Sequence, residues 1–486
     1  MEPQTAPNLD ELLLRIENLE TLVAAQQQTI AKQQQIIAAQ QKEITRLETA
    51  LAAAKKNSGN SSKPPSSDIV KKKNKKQNDP DAPKRKIGAQ PGHSANFRPE
   101  LPLDQIDNLI IHTLDTCPDC GTKLEDTHRK PVLIQQIKLV EKLYTVDEHQ
   151  GTAYWCPTCQ CFHYAPLPPE IERGGLFDAK LTAIVGYLKS VCHCSFSTLR
   201  KLLRDVIGIK VSRGHLRNVC GKVSDSLASH YEMLGGLLPN MKRLNIDESS
   251  LPENGKKLWV WAFEAELFTL YKIDPSRGSQ VLIEMLGKEF NGVIGCDYFG
   301  AYRKYMREFG VVVQFCLAHL IRDIKYLTTL ADKAAVSYGE RLRELMRELF
   351  ALIHSRDEYE PGVFQRLLSA KRDEIMVSAK KDVPENKSCQ NMLKRFEKHG
   401  EMYFTFITTP GMEPTNNVAE RAIRFVTIDR LVTQGVRSEF GRRFLERMWS
   451  VVSTCEKQGR TVLDFLTLAL RSFWSGTSPP ILIGDG

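Results

Sequence analysis

A seven-residue repeat of apolar side chains constrains the start of this 486-residue chain to one long helix. The first heptad position is filled by Leu9, Ile16, Val23, Ile30, Ile37, Ile44 and Leu51, and the companion position by Leu12, Leu19, Gln26, Gln33, Gln40 and Leu47. β-branched residues at the first position with Leu at the second favour a parallel two-stranded coiled coil, which the glutamines weaken. We therefore predict a coiled-coil helix over residues 8–54, about 65 Å long, that joins protomers. The alternative is an amphipathic helix packed on its own chain.

Basic residues are concentrated just after this helix. Residues 55–100 hold twelve lysines and arginines against four acidic residues, whereas the whole chain has a formal net charge of +9. Gly, Ser, Asn and Pro are frequent in the same stretch, which predicts a flexible linker rather than a packed core. A local positive run is typical of segments that bind polyanions, and we expect Lys71, Lys72 and Lys73 to contact DNA. The alternative is a solvated linker without a partner.

Two CxxC pairs lie in the next segment, residues 101–172. They supply four cysteines: Cys117, Cys120, Cys156 and Cys159. Because the N-terminus lacks a secretory signal, we expect reduced thiols, and paired CxxC motifs suit a structural tetrahedral Zn²⁺ site in a zinc ribbon. Cys161 and His163 are close enough in sequence to be alternative ligands. Residues 132–155, between the two pairs, are predicted to form strands.

Residues 175–238 have the apolar spacing of helices. One helical segment is broken at Gly208, and Ser212 is a candidate N-cap for a second helix that carries Arg213 and Arg217. This outline is that of a helix-turn-helix, in which the second helix binds DNA. An ordinary helical hairpin fits the same pattern equally well.

Beyond Pro239 the apolar period changes to two. It predicts a short strand ending at Asp247, two more strands, a helix, a fourth strand ending at Asp297 and a fifth strand in "VVVQFCLAHL". That order is the start of an α/β ribonuclease-H-like core, with its first part at residues 240–327, a mainly helical insertion at 328–400 and its second part at 401–456. Residues 457–486 are predicted to be a C-terminal helix and tail. A helix starting near Thr415 would carry Glu420 to the sheet edge where the two aspartates lie.

Three carboxylates at one place repel one another unless cations lie between them. Two Mg²⁺ or Mn²⁺ ions would relieve the repulsion among Asp247, Asp297 and Glu420 and would support phosphoryl transfer. The arginines that follow Glu420 are suited to the phosphates of DNA: Arg421, Arg424, Arg430, Arg437, Arg442 and Arg443. Each feature alone has an ordinary alternative, since an aspartate at a strand end often caps a turn and an arginine-rich helix often faces water.

The chain resembles the insertion-sequence-66 group of DDE transposases over almost its whole length. The motifs that carry the resemblance are "KNSGNSSKPPSSD", "GAQPGH", the CxxC pairs, "IDE" followed by "LWVWAF", "GCDYFGAY", "CLAHLIRD" and "TNNVAERAIR". The resemblance implies that Asp247, Asp297 and Glu420 are a catalytic triad that binds metal and that the protein cuts and joins DNA at the ends of a mobile element. It also implies four supporting residues: Cys316 and His319 in a CxxH motif, and the paired Asn416 and Asn417.

The predicted function is therefore that of a DNA transposase of a bacterial insertion sequence, acting as a dimer or larger assembly on element ends and target DNA. Accessory proteins of the same element are further candidate partners. The chain has no signal peptide and no apolar run of membrane-spanning length, so we expect it in the cytoplasm. Two alternatives remain open: a non-catalytic DNA-binding protein derived from a transposase, and a metal-dependent nuclease without strand transfer. The sequence does not separate the nuclease from a transposase, because both use the same metal site.

Overall fold

The computed structural model of the protein describes residues 8–54, 101–111, 116, 118–119, 121–123, 135–136, 140, 142–158 and 160–484. The predicted basic linker, with Lys71, Lys72 and Lys73, lies outside the described residues. So do the predicted zinc ligands Cys117, Cys120 and Cys159. Within the described ranges, every helix is too short or too polar to cross a bilayer.

The N-terminal segment forms one helix of 46 residues, α1 (Leu9–Ala54). The apolar side chains of its heptad seam from Leu12 to Leu51 are exposed, with values between 41% for Leu12 and 62% for Ile37. A helix that leaves its apolar seam in water gains little stability from its own chain, because most helical stability comes from burying such a face. Pairing of the seam with a second copy stays a prediction.

A β-hairpin contains the start of the second CxxC pair. Strand β1 (Ala153–Cys156) pairs antiparallel with β2 (Cys161–Tyr164), and Cys156 stands opposite Cys161. The strand prediction for residues 132–155 is too broad, since among the described residues of that range only 153–155 lie in a strand. Cys161 Sγ lies 3.3 Å from His163 Nε2, so the two alternative zinc ligands are adjacent.

A group of helices follows the hairpin within residues 169–237. They are α2 (Pro169–Gly174), α3 (Ala179–Ser190), α4 (Phe196–Leu202), α5 (Arg213–Ser226) and α6 (Ala228–Leu237). At the start of α5, Ser212 Oγ accepts a hydrogen bond from the His215 N–H. Gly208 has a φ of 90°, a conformation that glycine adopts readily, and it separates α5 from the preceding helical segment. The break and the cap therefore lie where the sequence placed them.

A mixed five-stranded sheet forms the centre of the following region. Its strands are β3 (Arg243–Glu253), β4 (Lys256–Glu264), β5 (Thr269–Asp274), β6 (Val293–Cys296) and β7 (Val312–Phe315). The strand order is β5-β4-β3-β6-β7, in which β3, β4 and β5 are antiparallel neighbours and β6 and β7 run parallel to β3. This sheet is compatible with the predicted α/β core, and the ribonuclease-H-like assignment stays a prediction.

The first strand is longer than the sequence predicted, because β3 does not end at Asp247 but continues to Glu253. The chain turns at Asn254 and Gly255, with φ values of 46° and 78°, and returns as β4. An Asn-Gly pair is a strong hairpin signal because both turn residues need positive φ. The predicted fifth strand is shorter than expected, since β7 ends at Phe315 and a helix begins at Leu317.

The helices that follow β5 in the chain include those that cover both faces of the sheet. They are α7 (Ser279–Leu286), α8 (Gly300–Phe309), α9 (Leu317–Leu327), α10 (Lys333–His354), α11 (Pro361–Lys380), α12 (Lys387–His399), α13 (Asn417–Thr433), α14 (Glu439–Lys457) and α15 (Val462–Ser475). On one face Trp261 packs against Tyr302 of α8, with ring centroids 6.0 Å apart. On the other face Tyr271 packs against Trp449 of α14 at 5.8 Å. All four rings are fully buried and form the centre of the core.

Candidate active site

Asp247 lies on the face of β3 that α13 covers. Side chains alternate along this strand, so Leu244 and Ile246 are buried in the core while Asn245 and Asp247 are only partly buried on the opposite face. Strand β6 pairs with β3 no further than Asn245. Asp247 therefore lies on β3 just beyond the residues that pair with β6, beside the point where β6 ends.

Asp297 is the first residue after β6. Its Oδ1 accepts a hydrogen bond from the Phe299 N–H at 2.8 Å, so one carboxylate oxygen also fixes the turn into α8. Burial, and then the charge of Glu248, raise the pKa of Asp297 to about 7. A carboxylate whose pKa is raised in this way marks a place where a positive charge would be stabilising.

Glu420 is in the first turn of α13 and acts electrostatically on Asp247. The pKa of Asp247 is raised well above its ordinary value by burial, and then by the charges of Glu248, Asp297 and Glu420. The three predicted triad members therefore share one region of the molecule. Their carboxylate oxygens are not all within 4.8 Å of one another, however, so Glu420 is near the two aspartates without forming a closed cluster with them.

The Glu420 carboxylate is held on its other side by α9. Its Oε1 is 3.3 Å from an Nη of Arg322 and 3.4 Å from His319 Nδ1. Burial, together with the charge of Arg322, lowers the pKa of His319 to about 4, which keeps the imidazole neutral near pH 7. Ligand atoms of Cys316, His319 and Glu420 all lie within 4.8 Å of one another. A thiol, an imidazole and a carboxylate form a donor set that softer cations such as Zn²⁺ accept better than Mg²⁺ does.

Asn416 connects the start of α13 to two other segments. It is the residue before the helix, which begins at Asn417, in agreement with the predicted start near Thr415. Its side-chain amide is buried, donates to the Ile246 carbonyl at 2.8 Å and accepts from Asn245 Nδ2 at 2.9 Å. Its backbone N–H donates to Cys316 Sγ at 3.2 Å. Asn416 therefore fixes the position of Glu420 one helical turn further on.

A fourth carboxylate, Glu248, was not predicted from the sequence as part of the site. Its side chain is buried on the face of β3 opposite Asp247, where Tyr302 donates to it at 2.6 Å and Arg277 at 2.9 Å. The Arg277 guanidinium also lies 3.9 Å from the centre of the Phe299 ring. The only sequence signal was its place beside Asp247 in "IDE", since its partners are 29 and 54 residues away.

Two of the predicted DNA-binding arginines bond to residues of β3. Arg430 donates to the hydroxyl groups of Ser249 and Ser250 at 3.2 and 2.9 Å. Arg442 pairs with Glu253 at 3.3 Å. The structure therefore gives both guanidinium groups a partner within the fold.

The other predicted arginines in the described region are exposed. They are Arg213, Arg217, Arg421, Arg424, Arg437 and Arg443. Arg443 pairs with Glu439, and the Arg217 guanidinium lies 4.2 Å from the centre of the Phe440 ring. Exposed guanidinium groups of this kind are available to the phosphates of nucleic acid. Asn417, at the start of α13, is exposed as well.

Comparison with known proteins gives matches over most of the chain. A family model described as "Transposase IS66 family" matches residues 174–443, a range that contains Asp247, Asp297 and Glu420. A second model, described as "Family of unknown function (DUF6444)", matches residues 2–99.

Two curated proteins of Sinorhizobium fredii (strain NBRC 101917 / NGR234) are similar to the chain. "Uncharacterized protein y4qI" is 25% identical over 345 residues, which cover 64% of this chain and 62% of that protein. "Uncharacterized protein y4hP" is 20% identical over 389 residues, which cover 72% of this chain and 69% of that protein. The chain thus spans less than two thirds of the first of these relatives.

Proposed function

Because the chain belongs to the transposase IS66 family, we propose that it cleaves and joins DNA strands at the ends of a mobile element through Asp247, Asp297 and Glu420. The observation that supports this most is the raised pKa of Asp247, which burial causes and to which both Asp297 and Glu420 contribute. Acidic side chains far apart in sequence act on one another beside the end of β6. Repulsion of that kind is typical of carboxylates that share divalent cations.

The three residues fit Mg²⁺ or Mn²⁺, because they offer only carboxylate oxygens, the donors that hard divalent cations prefer. When bound, two such ions would lower the pKa of an attacking water or 3′-hydroxyl and stabilise the leaving oxygen of a phosphodiester. Asp247 and Asp297 would hold them from the sheet. Glu420 would join by turning its carboxylate away from Arg322 and His319, which are its neighbours in the structure.

The remaining residues of the site position these carboxylates. Asn416 fixes the first turn of α13 against β3. The Phe299 N–H holds one oxygen of Asp297, and Arg277 balances the charge of Glu248 behind the strand. Positioning of this kind matters because displacements of about 1 Å in a reacting group can reduce the rate about a hundredfold.

In the same proposal the other segments assemble the protein on DNA. The α1 helix pairs protomers, and the two CxxC pairs hold a structural Zn²⁺ ion. The basic linker and the exposed arginines, Arg421, Arg424 and Arg437 among them, bind the DNA backbone.

Incubation with Mg²⁺, a duplex carrying an element end and a target duplex tests the activity. Joined products are expected. Nicked ends without joined products would favour a nuclease, and shifted but uncut DNA would favour a binding protein without activity.

Asp297→Asn tests the assignment of the site. We expect this variant to lose cleavage while it binds the element end about as well as the unchanged protein, because the substitution removes one charge and keeps the side-chain size. Asp274→Asn is the matched control, since Asp274 at the end of β5 also accepts a hydrogen bond from a backbone N–H two residues later, that of Ser276 at 2.7 Å. Equal activity of the two variants would contradict the role of Asp297.

A further inference from the structure

A basic cavity of about 700 Å³ lies between α8, α9 and α12, beside the candidate active site. Tyr298, the residue after Asp297, forms part of its wall. The cationic side chains that line it are Arg303 and Arg307 from α8 and Lys394, Arg395 and Lys398 from α12; the lining carboxylate is Asp323. The wall therefore carries a clear excess of positive charge.

Most of this charge has no counter-ion in the described part of the chain. Asp323 is used by Arg395, whose Nη1 donates to it at 2.7 Å. No ion pair involves Arg303, Arg307, Lys394 or Lys398 among the described residues. By contrast, Lys304 of the same α8 helix lies 3.9 Å from Glu308 and outside the cavity wall.

Three nitrogen atoms of the lining residues are buried and lack a hydrogen-bond partner in the described structure: Arg303 Nε, Arg395 Nη2 and His399 Nδ1. The Arg395 side chain is only 10% exposed. A buried donor without an acceptor costs about 1–3 kcal/mol, and more when it belongs to a charged group. Such atoms are expected where a bound anion or water supplies the acceptor.

The cavity is also organised toward the active site. The guanidinium groups of Arg303 and Arg395 lie 4.5 and 4.0 Å from the centre of the Tyr298 ring. The charge of Arg395 reaches the neighbouring carboxylate, since it partly offsets the rise in the pKa of Asp297. Contact with an aromatic ring restricts the guanidinium groups, and a planar guanidinium forms paired hydrogen bonds with phosphate oxygens.

We propose that this cavity binds a phosphate group of the DNA strand that enters the active site. The inference rests on the proposed function, and it gives α12 of the helical region between β7 and α13 a direct contact with DNA. Arg303 and Arg395 would bind the phosphate oxygens, and the exposed Arg307, Lys394 and Lys398 would attract the strand to the opening.

Paired charge removals in the full chain test the proposal. The cavity pair is Arg307→Gln with Lys398→Gln, and the control pair is Lys304→Gln with Lys387→Gln. Each pair removes one charge from α8 and one from α12, and all four side chains are exposed, so both proteins should fold. Binding of a labelled 30-nucleotide single strand and of the matching duplex is measured by fluorescence anisotropy in EDTA, so that no cleavage occurs.

We expect the cavity pair to weaken binding about tenfold and to flatten the dependence of log K on log salt by about 0.7 to 0.9 for each lost phosphate contact. The control pair should stay within about twofold of the unchanged protein. Equal losses in the two pairs would overturn the proposal, because only the total charge would then matter. Inorganic phosphate binding that depends on the cavity pair, with unchanged DNA affinity, would also overturn it in favour of a free anion.

Cleavage assays on the same proteins separate this inference from the proposed function. If DNA binding depends on the cavity pair but the unchanged protein neither cleaves nor joins DNA, the proposed activity fails and the cavity assignment stands. If the unchanged protein is active and binding is the same in both pairs, the cavity assignment alone fails.

Discussion

A single amide side chain, that of Asn416, sets the geometry around the candidate triad. It bonds to Asn245 and to the Ile246 carbonyl of β3, and its N–H bonds to Cys316 ahead of α9. Because the amide is buried, water does not compete for these hydrogen bonds, which strengthens them. The residue four positions later is Glu420, whose N–H donates to the Asn416 carbonyl. The direction of the Glu420 side chain therefore depends on Asn416.

Asn416→Ala should reduce both stability and activity. The substitution leaves the Asn245 amide and the Ile246 carbonyl without their partner, which should lower the free energy of unfolding by about 1–3 kcal/mol. Cleavage should fall further than the remaining folded fraction explains, because Glu420 loses its support. Asn291→Ala is the control, since that side chain is exposed and precedes β6, at the end of the strand opposite Asp297. Urea unfolding and cleavage rates measure the two effects, and equal behaviour of the two variants would refute the positioning role.

Glu248→Gln should destabilise the sheet, although Glu248 is on the face of β3 opposite Asp247. The glutamine keeps the size of the side chain but leaves Arg277 without its charged partner, so we expect a loss of about 1–3 kcal/mol in urea unfolding. Glu266→Gln is the control, because Glu266 pairs with Arg243 while 75% exposed and should change stability by less than about 0.5 kcal/mol. Similar losses in both variants would show that the buried Glu248–Arg277 pair contributes no more to the free energy of unfolding than an exposed pair does.

For single residues, the sequence predicted which side chains belong to the candidate site better than it predicted their bonding partners. Asp247, Asp297 and Glu420 follow from their motifs, and the structure brings them into one region. Arg424 is exposed, whereas Arg430, six residues later on the same helix, bonds to β3. The sequence did not predict this difference, because it depends on which face of α13 packs on the sheet. The partners of Glu248 were likewise hidden, since only tertiary packing brings Arg277 and Tyr302 to it.

At the scale of elements, β3 and α13 behave as one unit. The residues that flank α13 bond to β3 at both ends. Asn416 donates to the Ile246 carbonyl before the helix, and the Val436 N–H donates to the Pro252 carbonyl at 3.0 Å after it. Between these contacts Arg430 bonds to the same strand. The unit therefore fixes the positions of Asp247 and Glu420 relative to each other.

Gly435→Ala should loosen this unit. Gly435 has a φ of 93°, and an added Cβ would lie 2.2 Å from the Pro252 carbonyl oxygen. Positive φ costs an alanine about 1–2 kcal/mol, and the forced displacement adds about 1–3 kcal/mol. Gly459→Ala carries only the first cost, because φ there is 62° and no atom lies within 4 Å. Denaturant unfolding should therefore rank Gly435→Ala as clearly less stable, and the reverse order would mean that the close contact is not maintained.

The elements themselves were largely predictable from the sequence, and their ends were not. Alternating apolar residues gave the strands of the sheet in the right chain order. The extension of β3 beyond Asp247 depends on its antiparallel partner β4 and on the Asn254–Gly255 turn. The end of a strand depends on the strand that pairs with it, and the residue pattern of one segment gives no information about that partner.

For the molecule as a whole, the apolar surface of α1 is the feature that the fold leaves unexplained. The seam side chains from Leu12 to Leu51 are exposed, whereas the sheet and the helices packed on it share a core of buried apolar side chains. Exposed apolar stripes on a long helix are unfavourable in water and are typically covered by another helix. The heptad predicted the helix, but the sequence alone did not show whether its partner is a second copy.

Two seam substitutions in the full chain decide whether α1 joins protomers. Ile30→Lys with Ile37→Lys places charges at first heptad positions, where burial in a coiled coil would be costly. We expect the mass in solution, measured by light scattering at matched concentration, to fall toward that of one chain. Gln28→Lys with Gln35→Lys adds the same charge away from the seam and should leave the mass unchanged. Removal of residues 1–54 should reproduce the effect of the seam pair. If the seam pair and the truncated protein keep the mass of the unchanged assembly, a surface outside α1 holds the protomers together. The exposed seam must then have a different partner.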